Sequence, residues 1–245
     1  GEIAFFTGDL LVFKEYEALN HIDWQNILHS SLKLMNAVNV VPVICNMYGS
    51  GHDEFWAGYQ NTFETIAKKN IEIYEKANVS TIICEDAESF YMWTYEYPKV
   101  VSDFPFTVKH LSEFLYDESR YQNITFDVSF DLHYLFHDVF RLGRRNSDLF
   151  KIPRKITNSL SGITESTFEA SYKDAYDYKM SFYPSQSVKT KNLWQKHLEE
   201  LQKSGADYFL TTSPRSIIAL EHYSIKLEKN IDLKKLPKIK EWAVF

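Results

Sequence analysis

Apolar positions along this chain follow two patterns, which alternate. Short β-branched runs (EIAFF, VSTIIC and ADYFLT) have the length of buried strands and are bounded by turn residues or small residues. Longer stretches (WQNILHSSLKLMNAV, TFETIAKKNIEIYEKA and NLWQKHLEELQKSG) carry apolar residues three and four apart, which is typical of amphipathic helices. Because strands and helices alternate, we predict parallel sheets joined by right-handed crossovers.

The order of elements repeats. The first half adds a predicted strand at VNVVPVIC, and the second half adds a strand at NITFDVSF and helices at IPRKITNSLSG and RSIIALEHYSIKL. We therefore predict an α/β fold of two pseudo-repeated Rossmann-like lobes, each with a small parallel sheet flanked by helices. The first lobe spans residues 1–118 and the second spans residues 119–245, with the junction near 115–123.

The composition and the charge argue against some classes of protein. The 245 residues are 44% apolar with a net charge of −6, which argues against a general nucleic-acid binder. No apolar run reaches the roughly 20 residues of a spanning helix, no signal-peptide pattern is present, and two cysteines make no disulfide framework, so a cytoplasmic location is favoured. The aromatic fraction of 16% is high, and we predict that Phe90–Phe106 packs across the lobe junction or docks a partner.

The two cysteines occupy informative positions. Cys45 and Cys84 each follow an apolar run, where a parallel strand passes its chain to a loop, and α/β proteins build sites at such ends. From this placement alone, the two thiols are either the remains of a metal site or two small apolar residues that fill the core. Glu85 and Asp86 beside Cys84 are expected to raise the pKa of its thiol, which disfavours a reactive nucleophile.

Several motifs match a known family at corresponding spacing. In the first half they are FFTGD with Asp9, ICNMYG with Cys45 and Asn46, CEDA with Cys84 and Ala87, and the flanking residues Gly58, Asn70 and His110. In the second half they are ITFDVSFDL with Asp127 and Phe130, the helix start IPRK, and SPRS with Ser213 and Ser216. In these motifs the chain resembles the cysteine-rich Cys-Cys-Gly domain proteins, such as the B-type subunits of heterodisulfide reductases and archaeal succinate dehydrogenase subunits.

The resemblance implies a cofactor that the residues no longer support. The family binds iron–sulfur clusters, or zinc in some members, through thiolates that stand at a strand end, and Phe130 replaces one of them here. Only Cys45 and Cys84 remain in this chain, and the second half has no cysteine. We expect no bound cofactor and two buried relic cysteines; the alternatives are a redox dithiol or a remodelled zinc or iron–sulfur site at Cys45 and Cys84, completed by Asp9 and His52 on loops at the same strand-end face.

Other motifs carry weaker chemical signals. His133 and His137 stand four apart, which on a helix would bring both rings to one face, although a structural role is favoured. The turn Gly49–His52 lacks the Lys-Ser/Thr of a phosphate loop, and Ser213 lacks the glycines of a nucleophile elbow.

Three functional hypotheses follow. The first is a non-catalytic accessory subunit of a heterodisulfide reductase-like or succinate dehydrogenase-like electron-transfer complex, with other redox subunits as partners and a cytoplasmic or peripheral inner-membrane location. The second is an electron-transfer or oxidoreductase subunit that retains a remodelled metal site at Cys45 and Cys84. The third is an unrelated binding module with a small ligand in the former cluster cleft, which fold alone leaves open.

Overall fold

The computed structural model describes residues 2–15, 22–45, 48–122, 129–143, 145–166, 188–226, 238–241 and 243. The chain divides into two units, Gly1–Ile124 and Thr125–Ala243. The assignment of domains to 1–118 and 119–245 stays a prediction. Among the described residues, no helix combines the length and the apolar composition needed to cross a bilayer.

The first unit is built on a parallel sheet with the strand order β1-β2-β3. Its elements are β1 (Glu2–Phe6), α1 (Leu10–Lys14), α2 (Trp24–Ala37), α3 (His52–Ala57), α4 (Gln60–Lys76), β2 (Val79–Cys84), α5 (Ala87–Tyr91), a π-helical turn (Met92–Glu96), a 3₁₀ turn (Tyr97–Lys99), β3 (Thr107–His110) and α6 (Leu111–Gln122). Phe6, Cys84 and His110 stand at the same level of the sheet, at the carboxyl ends of the three strands.

An aromatic cluster fills the core of the first unit. The Trp93 ring lies 5.3 Å from that of Phe6, 5.5 Å from that of Tyr74 and 4.4 Å from that of Tyr97, measured between centroids. Trp93 and Tyr97 are 0% exposed. The predicted docking role of Phe90–Phe106 is therefore wrong for most of this segment, because Phe90, Tyr91, Trp93, Tyr97 and Phe106 are buried.

The predicted strand VNVVPVIC is also wrong. This segment contributes one bridge to the sheet, between Ala4 and Val43. Asn39 has a φ of 60°, which strand residues do not adopt, and Pro42 has no backbone N–H to donate to a ladder. The backbone thus pairs with β1 only around Val43.

The second unit contains a parallel sheet with the order β5-β4-β6-β7. Its described elements are β4 (Ser129–His137), α7 (Phe140–Gly143), a 3₁₀ turn (Ser147–Phe150), α8 (Lys151–Thr157), β5 (Ser161–Glu165), α9 (Val188–Ser204), β6 (Tyr208–Thr211), α10 (Pro214–Lys226) and β7 (Lys238–Glu241). Two small parallel sheets flanked by helices confirm the predicted Rossmann-like α/β class.

Strand β4 corrects two predictions. His133 and His137 lie on this strand, so the helical face expected for them does not exist. Phe130 is the second residue of β4, so it lies near the amino end of this strand and not at the carboxyl end, where the family pattern implied it. The rest of the predicted strand NITFDVSF, including Asp127, lies outside the described residues.

Candidate functional site at the strand ends

Cys84 ends β2 and is 0% exposed. Burial, and then the carboxylates of Asp86 and Glu85, raise the pKa of its thiol well above the ordinary value. This confirms the effect predicted for the two acids. The thiol stays protonated at neutral pH, so Cys84 is neither a nucleophile nor a ready thiolate ligand.

Cys45 follows the bridge at Val43 and is partly exposed, and its partial burial raises the pKa of the thiol. Both cysteines affect the pKa of the same phenol, that of Tyr74. Burial raises the pKa of Tyr74 on α4, and the negative charges that Cys45 and Cys84 carry once they ionise, in that order, raise it further. The two thiols thus share the surroundings of Tyr74, although the bridge segment, not a strand, leads to Cys45.

The loop after Cys45 is held by hydrogen bonds. Asp9 accepts a bond from the backbone N–H of Ser50 at 3.0 Å and another from the Ser50 hydroxyl at 3.3 Å. The Asn70 side chain is fully buried on α4: it accepts from the N–H of Tyr48 at 3.1 Å and donates to the carbonyl of Gly49 at 3.0 Å. The Tyr97 hydroxyl donates to the Ser50 carbonyl at 3.1 Å and lies 3.0 Å from the Asn70 amide nitrogen, which donates to it. Asn46 lies outside the described residues.

His52 begins α3 and is 1% exposed. Its Nδ1 lies 2.8 Å from a carboxylate oxygen of Asp53, and its ring centroid lies 6.4 Å from that of Trp56. Both of these contacts of the His52 ring are therefore with residues of its own helix.

The described side chains do not fit a zinc or iron–sulfur centre. Among them, no three His, Cys, Asp or Glu groups come together in a way that could hold a metal ion. The Asp9 carboxylate holds Ser50, and Cys84 is a buried neutral thiol. A structural zinc needs four ligands and a cluster needs mainly thiolates. The metal-ligand set Cys45, Cys84, Asp9 and His52 stays a prediction.

His110 is the last residue of β3, and its imidazole is neutral. Burial lowers its pKa to about 3. The backbone N–H of Ser112 donates to Nδ1 at 3.2 Å, so the ring proton sits on Nε2. That buried Nε2, and the buried hydroxyl of Thr7 after β1, have no hydrogen-bond partner among the described residues. These two neutral donors thus stand at the same edge as the buried carboxylates of Glu85 and Asp86.

The second unit places hydroxyls at the corresponding end of β6. Ser213 and Ser216 are both 0% exposed. The Ser213 hydroxyl accepts a bond from the N–H of Ser216 at 3.3 Å and thereby caps α10. The predicted substitution of cysteines by serines thus coincides with an ordinary helix cap, and a nucleophilic role for Ser213 has no support in this geometry.

A buried ion-pair network connects the neighbouring strands of this unit. Arg154 on α8 makes a two-point contact with Asp138, with one N–O distance of 2.8 Å, and its Nε donates to Glu165 at 2.6 Å. Burial disfavours the charged guanidinium, but the bonds and charges of Asp138 and Glu165 outweigh this and raise the pKa of Arg154. IPRK, expected as a helix start, supplies this arginine near the start of α8.

Comparison with known proteins gives distant relatives. No family model matches the chain. It is 28% identical, over 173 residues, to an uncharacterized iron-sulfur protein of Methanocaldococcus jannaschii; the match covers 69% of this chain and 31% of that protein. It is 27% identical, over 99 residues, to one subunit of the dihydromethanophenazine:CoB–CoM heterodisulfide reductase of Methanosarcina acetivorans, covering 40% of this chain and 24% of that protein.

These matches support the coarse resemblance only. The matches span less than a third of the length of either relative, so the activities of the whole relatives do not transfer directly. A crystal structure of a hypothetical protein from Helicobacter pylori has a TM-score of 0.68 at 13% identity, covering 98% of this chain and 47% of that one. That likeness supports the fold. The weak similarity to the two curated proteins supports a distant relation to the Cys-Cys-Gly family.

Sequence reasoning missed how the polar side chains pair. The motifs mark Asn70 and Arg154 only as family matches, yet each joins segments that are remote in sequence. A polar residue inside the apolar stripe of a helix is the one signal available: Asn70 shares the buried face of α4 with Ala67, Ile71 and Tyr74.

Proposed function

We propose that this chain is a non-catalytic accessory subunit of a heterodisulfide reductase-like electron-transfer assembly and that it has lost the ability to bind a cluster. The proposal rests on the start of α10, where Ser213 and Ser216, at positions that the family resemblance assigns to cysteines, form a buried helix cap. Serine hydroxyls are poor ligands for the soft metal centres that thiolates bind. The similarity to an iron-sulfur protein and a reductase subunit supports the choice of assembly.

The first unit supports the same proposal. A loop that a metal would otherwise anchor is held by Asp9, Asn70 and Tyr97. Hydrogen bonds therefore supply the local order, and the chain can keep the fold without a cofactor.

Exposed apolar side chains supply a candidate contact surface for a partner subunit. Among the described residues, most of the large ones that are exposed lie between residues 41 and 59: Val41 85%, Ile44 51%, Tyr48 46%, Trp56 49% and Tyr59 66%. Exposed aromatic residues of this kind are enriched at protein interfaces. We infer that this segment, and not Phe90–Phe106, contacts the partner.

The test of cluster loss is metal content. The protein is purified without oxygen, incubated with iron and sulfide, and analysed for iron, zinc and visible absorption. We expect well below one metal per chain in the wild type and no change in Cys84→Ala. A stoichiometric metal that Cys84→Ala abolishes, and that the control Ser31→Ala retains, would instead support the retained metal site.

The test of the partner contact is co-purification from the native source. We expect tagged wild-type protein to retain redox subunits and the Trp56→Ala/Tyr59→Ala variant to lose most of them. Val188→Ala, which alters an apolar side chain that is 73% exposed in the second unit, serves as the control. Equal recovery with all three baits would exclude this surface.

A further inference from the structure

We propose that the start of α10 binds a small oxyanion, with inorganic phosphate as the simplest example. The site would be formed by the hydroxyls of Thr212 and Ser216 and the first turn of the helix. This inference goes beyond the proposed function and does not depend on it, because it concerns a different kind of ligand at the start of α10, which a chain with or without a redox partner could bind.

The first observation is the course of the backbone. Strand β6 ends at Thr211, and the chain passes through Thr212 and Ser213 directly into α10, which begins at Pro214. A helix of 13 residues concentrates partial positive charge at its N-terminus, and a helix that starts at the carboxyl end of a parallel strand is a frequent anion site. Ser213 itself is used as the cap, so it orders the turn without occupying the site.

The second observation is a pair of buried hydroxyls with unused hydrogen-bonding capacity. Thr212 and Ser216 are each 0% exposed, and neither hydroxyl oxygen has a hydrogen-bond partner among the described residues. Buried polar groups nearly always make hydrogen bonds in folded proteins, so two buried hydroxyls without a bond at one helix start require an explanation. Ser216 lies in the first turn, where the Cα–Cβ bond tilts towards the helix N-terminus, so its hydroxyl is directed to the end where Thr212 stands. A bound oxyanion would accept a hydrogen bond from each hydroxyl.

Basic and acidic residues both stand near this helix start. Arg215, the second helical residue, is 4% exposed and adds a positive charge to the first turn. Two acidic residues stand near Thr212 in register: Asp138 follows His137, which pairs with Thr211, and Glu241 pairs with Thr211 from the other side of β6. Both Asp138 oxygens contact the Arg154 guanidinium, which offsets the charge that would otherwise repel an anion.

The test uses calorimetry and thermal unfolding of the full chain with sodium phosphate, against sodium chloride at equal ionic strength. We expect saturable binding of one phosphate per chain, with a raised unfolding temperature. The Thr212→Val/Ser216→Ala variant should bind at least about tenfold more weakly, since two hydrogen bonds are lost. Thr157→Val serves as the control, because its hydroxyl is bonded to Pro153 within α8 of the same unit.

Sulfate and acetate distinguish the sources of the anion. A site for a tetrahedral oxyanion prefers phosphate and sulfate, whereas a carboxylate site prefers acetate. Thr212→Ser keeps a hydroxyl and should keep the affinity, so it remains informative if the double variant does not fold. The absence of saturable binding of all three anions to the wild type, or an unchanged affinity in the folded double variant, would overturn the proposal.

Discussion

At the residue scale, the first strand-end loop depends on a single amide. Asn70 satisfies one N–H, one carbonyl and one hydroxyl from three different positions in the chain. An aspartate could not replace it, because ionised carboxylates accept hydrogen bonds but do not donate them. The side chain is specified by donors and acceptors together, not by its size.

Asn70→Ala should lower the free energy of unfolding by about 2–4 kcal/mol, because it leaves several buried polar groups unpaired. Urea unfolding followed by circular dichroism measures the change. Asn61→Ala, the same substitution at an exposed position of the same helix, should change it by less than about 0.5 kcal/mol. Similar losses in the two variants would show that the amide network adds no stability.

Gly8 and Gly58 separate backbone strain from steric overlap. Both have left-handed φ angles, 61° and 87°, but a Cβ on Gly8 would lie 1.9 Å from an Asp86 oxygen, whereas a Cβ on Gly58 would meet no atom of the described residues within 4 Å. Gly58→Ala should cost about 1 kcal/mol, from the φ angle alone. Gly8→Ala should cost at least about 2 kcal/mol more, since Asp86 must leave Ser89. Equal losses in thermal or urea unfolding would contradict the overlap.

At the element scale, Arg154 holds β4, α8 and β5 together through Asp138 and Glu165. Arg154→Met should destabilise the protein by about 3–5 kcal/mol, because it removes the buried positive charge that offsets the Asp138 carboxylate. Arg154→Met/Asp138→Leu should recover part of that loss, because the buried charge is removed as well. A double-mutant cycle in urea measures the coupling, and additive losses would mean that the pair is not coupled.

Two buried histidines connect β4 and α9 and give this unit a pH dependence. The rings of His137 and His197 lie 5.8 Å apart, and burial, together with the Arg154 charge, lowers the pKa of His137 to about 4. Burial and then His137 lower the pKa of His197 well below its usual value. In the unfolded chain both titrate near 6.5, so the unfolded state binds more protons as the pH falls, and stability decreases from about pH 6.5 to about pH 4.

His137→Phe should flatten this pH dependence, by up to about 3 kcal/mol between pH 7 and pH 4. His29→Gln, at an exposed position of α2, should leave it unchanged. Unfolding free energies from urea titrations at several pH values provide the measurement. A His137→Phe profile parallel to the wild type would show that this ring does not set the slope.

The period of the apolar positions predicted some elements correctly and failed at others, in each case for a physical reason. It predicted α2, α4, β2 and β6, whose apolar positions match one period clearly. The segment Phe130–His137 fits the helical period and also the strand period, since Leu132, Tyr134 and Phe136 alternate. It forms a strand because β5 and β6 pair with it, one on each side. Strand β3 (TVKH) has only one apolar residue and therefore gave no pattern.

At the scale of the whole molecule, the sequence was sufficient to predict the fold class but not the chemistry of the strand ends. The alternation of elements fixes parallel sheets, and parallel sheets bring their carboxyl ends to one edge. Which side chains meet there depends on contacts such as Asp9 with Ser50, 41 residues apart. No local pattern encodes such a pair, so sequence reasoning marks the strand ends but misses the hydrogen-bonded loop.

The unequal burial of the two thiols provides a chemical reporter of local opening. Cys45 is partly exposed and should react with a maleimide in the native protein, whereas Cys84, at the end of the central strand of its sheet, should react only when that sheet opens. In a Cys45→Ser background, the slow labelling rate of Cys84, followed by mass spectrometry, therefore measures the opening equilibrium of the first unit alone. Asn70→Ala should accelerate that labelling, and Arg154→Met should leave it unaltered if the two units open independently.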